Sequence, residues 1–232
     1  MVVIPAFNEA ARIGAVLERV RRAMPGYEIL VIDDGSRDAT GEIASEKGAC
    51  VLRHLFNLGY GSALQTGYKY ALRAGADLVV QMDADGQHDP AEAVALATPI
   101  ETGELDLAIG SRFLGAGDYA MPAARRAGRV VLQSILRPFG LRITDPTSGF
   151  QALSRRVLLL YCEDDFPTDF PDVDVLLVAH RHGLRIGERP VRMAASPRPS
   201  LLHAGWAPVY YVYKMSLSLW AAALARRGSV HD

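Results

Sequence analysis

Residues 79–90 read VVQMDADGQHDP. An apolar run ends there in two aspartates, Asp83 and Asp85, which one residue separates. Successive side chains of a strand point to opposite faces, so both carboxylates would leave the end of a strand on the same side. Paired carboxylates are typical ligands of a Mg²⁺ or Mn²⁺ ion that also contacts phosphates. Asp and Gly are also common in tight turns, so the stretch alone leaves a metal site and a simple turn both open.

The first 110 residues alternate between two hydrophobic periods. Short β-rich runs cover 1–4, 28–33, 49–53, 77–83 and 105–110. In the first helical segment, apolar side chains recur every three or four residues, at Ile13, Val16, Leu17, Val20 and Met24. Further helices are predicted over 37–47, over 62–74 and from Asp89-Pro90 onward. This alternation predicts a single α/β domain with a mixed, mostly parallel sheet and helices on both faces.

Polar residues follow four of these strands at the point where each strand ends. The four clusters are 5–9 (PAFNE), 33–36 (DDGS), 83–85 (DAD) and 110–112 (GSR). The carboxyl ends of parallel strands meet at one edge of a sheet, and such folds bind their ligands there. We therefore expect the four clusters to lie together, which favours a binding site over four unrelated turns.

The pattern changes after residue 115. A basic amphipathic helix is predicted over 122–138 and a turn-rich insert over 144–152. Next come a helix from about Ser154, a helix over 172–182, a strand-like stretch at 185–193, a loop at 194–199 and an aromatic helix over 206–227. We expect one domain over 1–193, followed by a separate C-terminal segment at 194–232.

The composition excludes some classes of function. The 232 residues carry a net charge of −1, which gives no electrostatic basis for binding nucleic acid. Arginines nevertheless dominate 125–156, where Asp145 is the sole acid, and this suits either an anionic partner or a solvated helix face. The cysteines match no metal or redox spacing, and neither a signal peptide nor a membrane-spanning run is visible, so a cytoplasmic protein is expected.

Six motifs in chain order carry a resemblance to a known family. They are PAFNE (5–9), VIDDGS (31–36), NLGYG (57–61), MDADGQ (82–87), GSR (110–112) and DPTSGF (145–150). The series resembles the inverting glycosyltransferases of family 2, and the last motif resembles their dolichol-phosphate mannosyltransferase and polyprenyl-phosphate glycosyltransferase branch. The resemblance covers about residues 1–193. It implies a GT-A-like fold in which 1–115 bind the nucleotide sugar and metal and 116–193 face the acceptor.

The resemblance implies a UDP- or GDP-linked sugar donor and a Mg²⁺ or Mn²⁺ cofactor. Donor-binding residues are expected at Pro5, Phe7, Glu9, Asp33, Asp34 and Asp83, and metal ligands at Asp83, Asp85 and Gln87. Asp85 and Arg112 are the expected catalytic residues, since a guanidinium suits a phosphate clamp. The residues also allow simpler roles. Asp33-Asp34 could form a turn with Ser36 as the N-cap, and His88 could be a capping or solvent-exposed side chain. Arg112 could form a surface ion pair. No contact is assigned to 57–61.

The implied acceptor is a polyprenyl phosphate of the undecaprenyl or dolichyl type. Arg125 and Arg129, one helical turn apart, are expected to bind its phosphate, with hydrogen bonds from Thr147 and Ser148. A hydroxyl acceptor would instead need a carboxylate base, for which Asp172 and Asp174 are the candidates, although both also suit a helix start.

The preferred function is transfer of the sugar, with inversion, by a protein bound peripherally to the inner face of the cytoplasmic membrane. The alternatives are transfer to a hydroxyl of a glycan or small molecule, and a non-catalytic nucleotide-sugar-binding subunit. Related synthases carry an Arg-x-x-Gly-x-Ser lid, from which ASPRPS at 195–200 departs. The aromatic stretch 210–220 suits a membrane interface, packing on the domain, or a partner such as a separate membrane subunit or a second copy.

Overall fold

The computed structural model describes residues 1–114, 123–169 and 171–194, with side chains described from 128 onward in the helix that begins at 123. The lid stretch 195–200, the aromatic helix predicted over 206–227 and the side chain of Arg125 lie outside this description.

Strands and helices alternate along the described part of the chain. The strands are β1 (Val2–Ala6), β2 (Ile29–Asp33), β3 (Cys50–Arg53), β4 (Leu78–Gln81), β5 (Leu107–Ser111), β6 (Gln151–Ser154) and β7 (Ile186–Pro190). The helices are α1 (Ala10–Ala23), α2 (Thr40–Glu46), α3 (Tyr60–Arg73), α4 (Ala93–Glu101), α5 (Ala123–Leu136), α6 (Arg155–Tyr161) and α7 (Val173–Arg181). Single 3-10 turns occupy Pro90–Glu92 and Arg137–Phe139.

The seven strands form one sheet in the order β3-β2-β1-β4-β6-β5-β7. All neighbouring pairs are parallel except those of β6, which runs antiparallel to both β4 and β5. The mixed, mostly parallel sheet predicted from the sequence is confirmed. The turn-rich insert predicted over 144–152 is wrong at its end, because β6 already begins at Gln151. β6 has four residues and directly follows a turn, so it is too short to show the alternation of apolar and polar residues by which a strand is recognised in a sequence.

Alternate strand residues face two separate hydrophobic cores. Val3 and Leu30 pack on the face that carries α3, α6 and α7, whereas Val2 and Val31 pack on the face that carries α1 and α4. The predicted stripe of α1 is buried, at Ile13, Val16, Leu17, Val20 and Met24. Helices on both faces of the sheet are therefore confirmed.

The loops after β1 and β2 are tied to each other. The Asn8 backbone N–H donates to Ser36 Oγ at 3.0 Å, and the Arg37 N–H donates to Asn8 Oδ1 at 2.8 Å. The Asp38 carboxylate accepts from the Thr40 N–H at 3.1 Å, so helix α2 starts at Thr40 and not at residue 37 as predicted. Ser36 is consequently not the N-cap of this helix.

Gly35 lets a third loop approach this pair. Its φ is +71°, and a Cβ at this position would lie 2.5 Å from the carbonyl carbon of Phe56 and 2.7 Å from the Asn57 nitrogen. Both contacts are with backbone atoms, which cannot move aside as a flexible side chain can. The loop at 54–59 can lie against the end of β2 because residue 35 has no side chain.

Replacing Gly35 by alanine is expected to lower the free energy of unfolding by about 1 kcal/mol for its positive φ, and by a further ~1–3 kcal/mol for the displaced loop. Gly75→Ala is the matched control, because Gly75 also has a positive φ (+78°) but no atom lies within 4 Å of its Cβ position. Urea titration of both variants measures the difference. Equal losses would show that the close approach at Gly35 is not needed.

Candidate active site

The four polar clusters lie at one edge of the sheet, as predicted. β1, β2 and β4 run parallel, and β5 has the same direction as β4 because β6 is antiparallel to both. The reversed direction of β6 also brings the preceding residues 145–150 to this edge. Five of the six sequence motifs thus flank the same edge, and the sixth, 57–61, reaches it through the start of α3.

The Asp83–Gln87 loop holds the Asp85 carboxylate in place. The Gln87 N–H donates to Asp85 Oδ1 at 2.9 Å, and the Gln87 side-chain amide donates to Asp85 Oδ2. Asp83 and Asp85 are both partly exposed. The loop therefore carries two partly exposed carboxylates, one of which is held by Gln87.

His88 is buried, so its expected role as a capping or solvent-exposed side chain is wrong. Its side chain is 5% exposed and stacks on Phe150, with ring centroids 4.8 Å apart. Nδ1 accepts from the Asp83 backbone N–H at 3.0 Å, which assigns the proton of the neutral ring to Nε2, and Nε2 lies 3.5 Å from Asp83 Oδ2. His88 therefore orients Asp83.

These residues fit a divalent cation that is shared with a substrate. Within the described residues, no group of three His, Cys, Asp or Glu side chains converges on one point. Asp83, Asp85 and Gln87 would supply a few hard oxygen ligands and leave positions open, which is the arrangement Mg²⁺ adopts when it also binds substrate phosphates. The donor set suits Mg²⁺ or Mn²⁺ and does not suit a closed structural zinc site.

Tyr60 contacts this site, a role that the sequence did not predict. Its hydroxyl donates to Asp83 Oδ1 at 2.9 Å. Tyr60 is 38% exposed as a whole, but desolvation of its hydroxyl, followed by the charge of Asp83, raises its pKa above the ordinary value of 10.0, so the hydroxyl keeps its proton. The glycines beside it in the 57–61 motif serve packing: a Cβ on Gly61 would lie 2.0 Å from the carbonyl oxygen of Pro167.

Asp33 and Asp34 point into the protein and hold the surrounding loops. Asp33 is fully buried; its Oδ1 accepts from the Ser36 N–H at 2.9 Å and its Oδ2 lies 3.3 Å from Arg53 Nε. Asp34 Oδ1 accepts from the Leu58 N–H at 2.9 Å and contacts His54 Nδ1 at 2.7 Å, and Oδ2 accepts from the Gly59 N–H at 3.0 Å. Asp33 thus closes a local turn, without Ser36 as an N-cap, whereas Asp34 holds the 54–59 loop; donor binding by either stays a prediction.

The loop after β1 offers an exposed ring at the same edge. Phe7 is 41% exposed, whereas Pro5 is buried within β1. Glu9 forms an ion pair with Arg12 at 2.8 Å, and its N–H donates to Thr40 Oγ1 at 2.8 Å. Phe7 is accordingly the member of this cluster best placed to stack on a nucleobase.

Arg112 forms a two-point ion pair with a buried partner and not a surface pair. Its Nε and Nη2 each donate to the Asp145 carboxylate at 2.7 Å, and Asp145 is 1% exposed. Glu188 in turn accepts from the Asp145 N–H at 2.9 Å and from the Thr144 N–H at 2.7 Å. Glu188, which the sequence analysis missed, thereby fixes the segment that orients Arg112.

The predicted acceptor residues have different surroundings in the structure. The Arg129 guanidinium lies 4.0 Å from the centre of the Phe113 ring, a cation–π contact. Ser148 is buried and donates to the Gly110 carbonyl at 2.6 Å, whereas Thr147 is exposed. Arg125 lies on α5, eleven residues before its end at Leu136.

The two candidate bases begin α7. Asp172 is the N-cap residue, but its side chain forms no capping hydrogen bond. Asp174 is 3% exposed, and its Oδ1 accepts from the Asp172 N–H at 3.1 Å and the Val175 N–H at 2.9 Å. The helix start predicted at Asp172 is confirmed, and the carboxylate of Asp174 is engaged by the backbone of that start.

Two relatives by sequence are named for lipid phosphates. The polyprenol monophosphomannose synthase of Mycolicibacterium smegmatis is 36% identical over 169 residues, which cover 68% of this chain and 62% of that protein. The undecaprenyl-phosphate mannosyltransferase of Micrococcus luteus is 33% identical over 204 residues, which cover 82% of each.

A solved structure and a family model also match this chain. Glucosyl-3-phosphoglycerate synthase from Mycobacterium tuberculosis, in complex with Mn²⁺ and UDP-glucose, has a TM-score of 0.67 at 26% identity, over 100% of this chain and 79% of that one. Residues 1–159 match the family described as Glycosyl transferase family 2. The resemblance that the six motifs carry is thereby confirmed: the chain belongs to glycosyl transferase family 2, as a glycosyltransferase with the GT-A fold.

Proposed function

We propose that this protein transfers a sugar, with inversion, from a UDP- or GDP-linked donor to a polyprenyl phosphate at the inner face of the cytoplasmic membrane. The observation that carries the proposal is the gathering of Asp83, Asp85 and Arg112 at the sheet edge in a chain whose relatives are named for polyprenol and undecaprenyl phosphate. Among the described residues, no helix combines the length and the apolar character needed to span a membrane.

On the donor side, the residues divide into binding and orienting groups. Phe7 would stack on the base, and Asp83, Asp85 and Gln87 would hold a divalent cation beside the diphosphate. Such a cation neutralises the charge that develops on the leaving diphosphate. The guanidinium of Arg112, which two hydrogen bonds to Asp145 hold in place, lies beside the same edge of the sheet.

On the acceptor side, a phosphate needs cations but no base. One of its oxygens is already anionic, so it can attack the anomeric carbon while the bond to the nucleotide diphosphate breaks on the opposite side, which inverts the anomeric configuration. Arg125 and Arg129 would bind the acceptor phosphate. The near-complete burial of Asp174 and its hydrogen bonds to backbone N–H groups argue against this residue as a base, because a general base must reach its substrate; Asp172, the other candidate, is partly exposed.

A hydroxyl acceptor is the second candidate, because Asp172, at the start of α7, is a partly exposed carboxylate that could act as its base. The solved structures that match include glucosyl-3-phosphoglycerate synthase with Mn²⁺, UDP-glucose and phosphoglyceric acid, at 24% identity and a TM-score of 0.66. At that identity the match shows a shared fold alone and does not decide between the two acceptors.

Asp85→Asn is expected to reduce transfer from a nucleotide sugar by at least about 100-fold, because the loop loses a carboxylate for the cation. Asp89→Asn is the matched control: Asp89 is in the same segment, pairs with Arg19 at 3.2 Å and should tolerate the change. Release of UDP or GDP during turnover with Mn²⁺ measures both variants. Equal activity of the two variants would contradict the metal assignment and, with it, the proposed donor site.

The identity of the acceptor is tested by a pair of variants with undecaprenyl phosphate as substrate. Arg125→Gln is expected to raise the KM for the lipid by roughly tenfold or more, while Arg142→Gln, an exposed arginine of the same segment, leaves it unchanged. Asp172→Asn and Asp174→Asn should each keep kcat within roughly threefold, since no proton is removed from a phosphate. Loss of kcat in either aspartate variant with no effect of Arg125→Gln would instead indicate a hydroxyl acceptor.

A further inference from the structure

Four side chains form a continuous hydrogen-bonded chain that ends on Asp83. The Tyr68 hydroxyl donates to Gln81 Oε1, Gln81 Nε2 donates to the Tyr60 hydroxyl oxygen at 3.1 Å, and the Tyr60 hydroxyl donates to Asp83 Oδ1 at 2.9 Å. We name this series, Tyr68–Gln81–Tyr60–Asp83, the tyrosine relay.

The direction of every hydrogen bond in the relay is fixed by its last member. An ionised carboxylate only accepts, so the single hydroxyl proton of Tyr60 must point to Asp83. The Tyr60 oxygen is then available only as an acceptor toward Gln81, which must present its NH₂ group there and its carbonyl to Tyr68. No other arrangement satisfies all three contacts.

Regular secondary structure holds the relay rigidly. Tyr60 and Tyr68 lie eight residues apart on α3, hence on the same side of the helix, and Gln81 is the last residue of β4. Tyr68 is 1% exposed and Gln81 is 3% exposed. In the sheet, Gln81 pairs with Val3 of β1 and with Gln151 of β6, so the strand cannot shift without disturbing its neighbours.

Gly149 packs closely against the contact between Tyr60 and Asp83. A Cβ at this position would lie 2.7 Å from the Tyr60 hydroxyl oxygen, and 3.2 Å and 3.3 Å from the two Asp83 carboxylate oxygens. A side chain there would have to displace the Tyr60 hydroxyl. The sequence thus keeps a glycine at the point where the relay meets the cation site.

We propose that Tyr60, supported by Gln81 and Tyr68, is a positioning residue: it holds the Asp83 carboxylate at Oδ1 while His88 lies 3.5 Å from Oδ2, and the two contacts together fix the carboxylate in the orientation in which it would bind a divalent cation. This inference rests on the proposed function, since it assumes that Asp83 binds the cation. Groups that orient metal ligands in this way typically change metal affinity by 10–100-fold when they are removed.

Tyr60→Phe tests the proposal, because it removes the hydroxyl and keeps the ring. The readout is Mn²⁺ binding to the full chain in the presence of UDP or of GDP, followed by the electron paramagnetic resonance signal of free Mn²⁺. We expect roughly tenfold weaker Mn²⁺ binding, with unchanged nucleotide affinity in the absence of metal. Tyr70→Phe is the matched control on the same helix, where the hydroxyl contacts only the Cys50 thiol at 3.5 Å among the contacts described.

Gly149→Ala tests the same contact from the other side and should weaken Mn²⁺ binding to a similar extent. Wild-type Mn²⁺ affinity in both variants would overturn the positioning role. Equal loss of metal and of metal-free nucleotide binding would also overturn it, since that result indicates a general disturbance of the fold. If the wild-type chain itself bound no Mn²⁺ with either nucleotide, the proposed function would fail, and the positioning role with it.

Discussion

The direction of strand β6 is the constraint on which the site depends. Parallel strands alone bring the ends of β1, β2, β4 and β5 to one edge of the sheet. Only a strand that runs the opposite way can begin at that edge, and β6 does so between β4 and β5. It thereby delivers Asp145, Gly149 and Phe150 into contact with Arg112, Tyr60 and His88. A parallel strand in this position would have carried those residues to the far edge.

The acidic residues of the site fall into two groups with different tasks. Asp33, Asp34, Asp145 and Asp174 are almost fully buried, and their oxygens accept hydrogen bonds from the loops and arginines around them. Asp83 and Asp85 remain partly exposed. The first group fixes the loops before any ligand binds. Because of this, Asp83 and Asp85 need little rearrangement when a ligand binds, and a preorganised site of this kind avoids the reorganisation energy that would otherwise add to the reaction barrier.

Much of the fold and part of the site could be predicted from the sequence. The hydrophobic period predicts the strand that ends at Asp33 and the strand just before Asp83, and the alternation of strands and helices predicts that the two strands are parallel and end at the same edge. Contacts between distant segments could not be predicted, because no local pattern records them: Tyr60 meets Asp83 across 23 residues, and Arg112 meets Asp145 across 33. His88 reads as a polar loop residue but is buried, with Phe150 stacked on its ring. The surface ion pair considered for Arg112 is wrong, because its partner Asp145 is buried, and its role as a phosphate clamp stays a prediction.

The central claim is that this sheet edge binds a nucleotide diphosphate through a cation held by Asp83 and Asp85. The most direct measurement is anomalous diffraction at the manganese absorption edge, from crystals of the full chain grown with Mn²⁺ and UDP or GDP. We expect an anomalous peak within coordination distance of carboxylate oxygens of both aspartates and beside the diphosphate. An ordered nucleotide with no peak at these carboxylates, or a peak elsewhere on the chain, would contradict it.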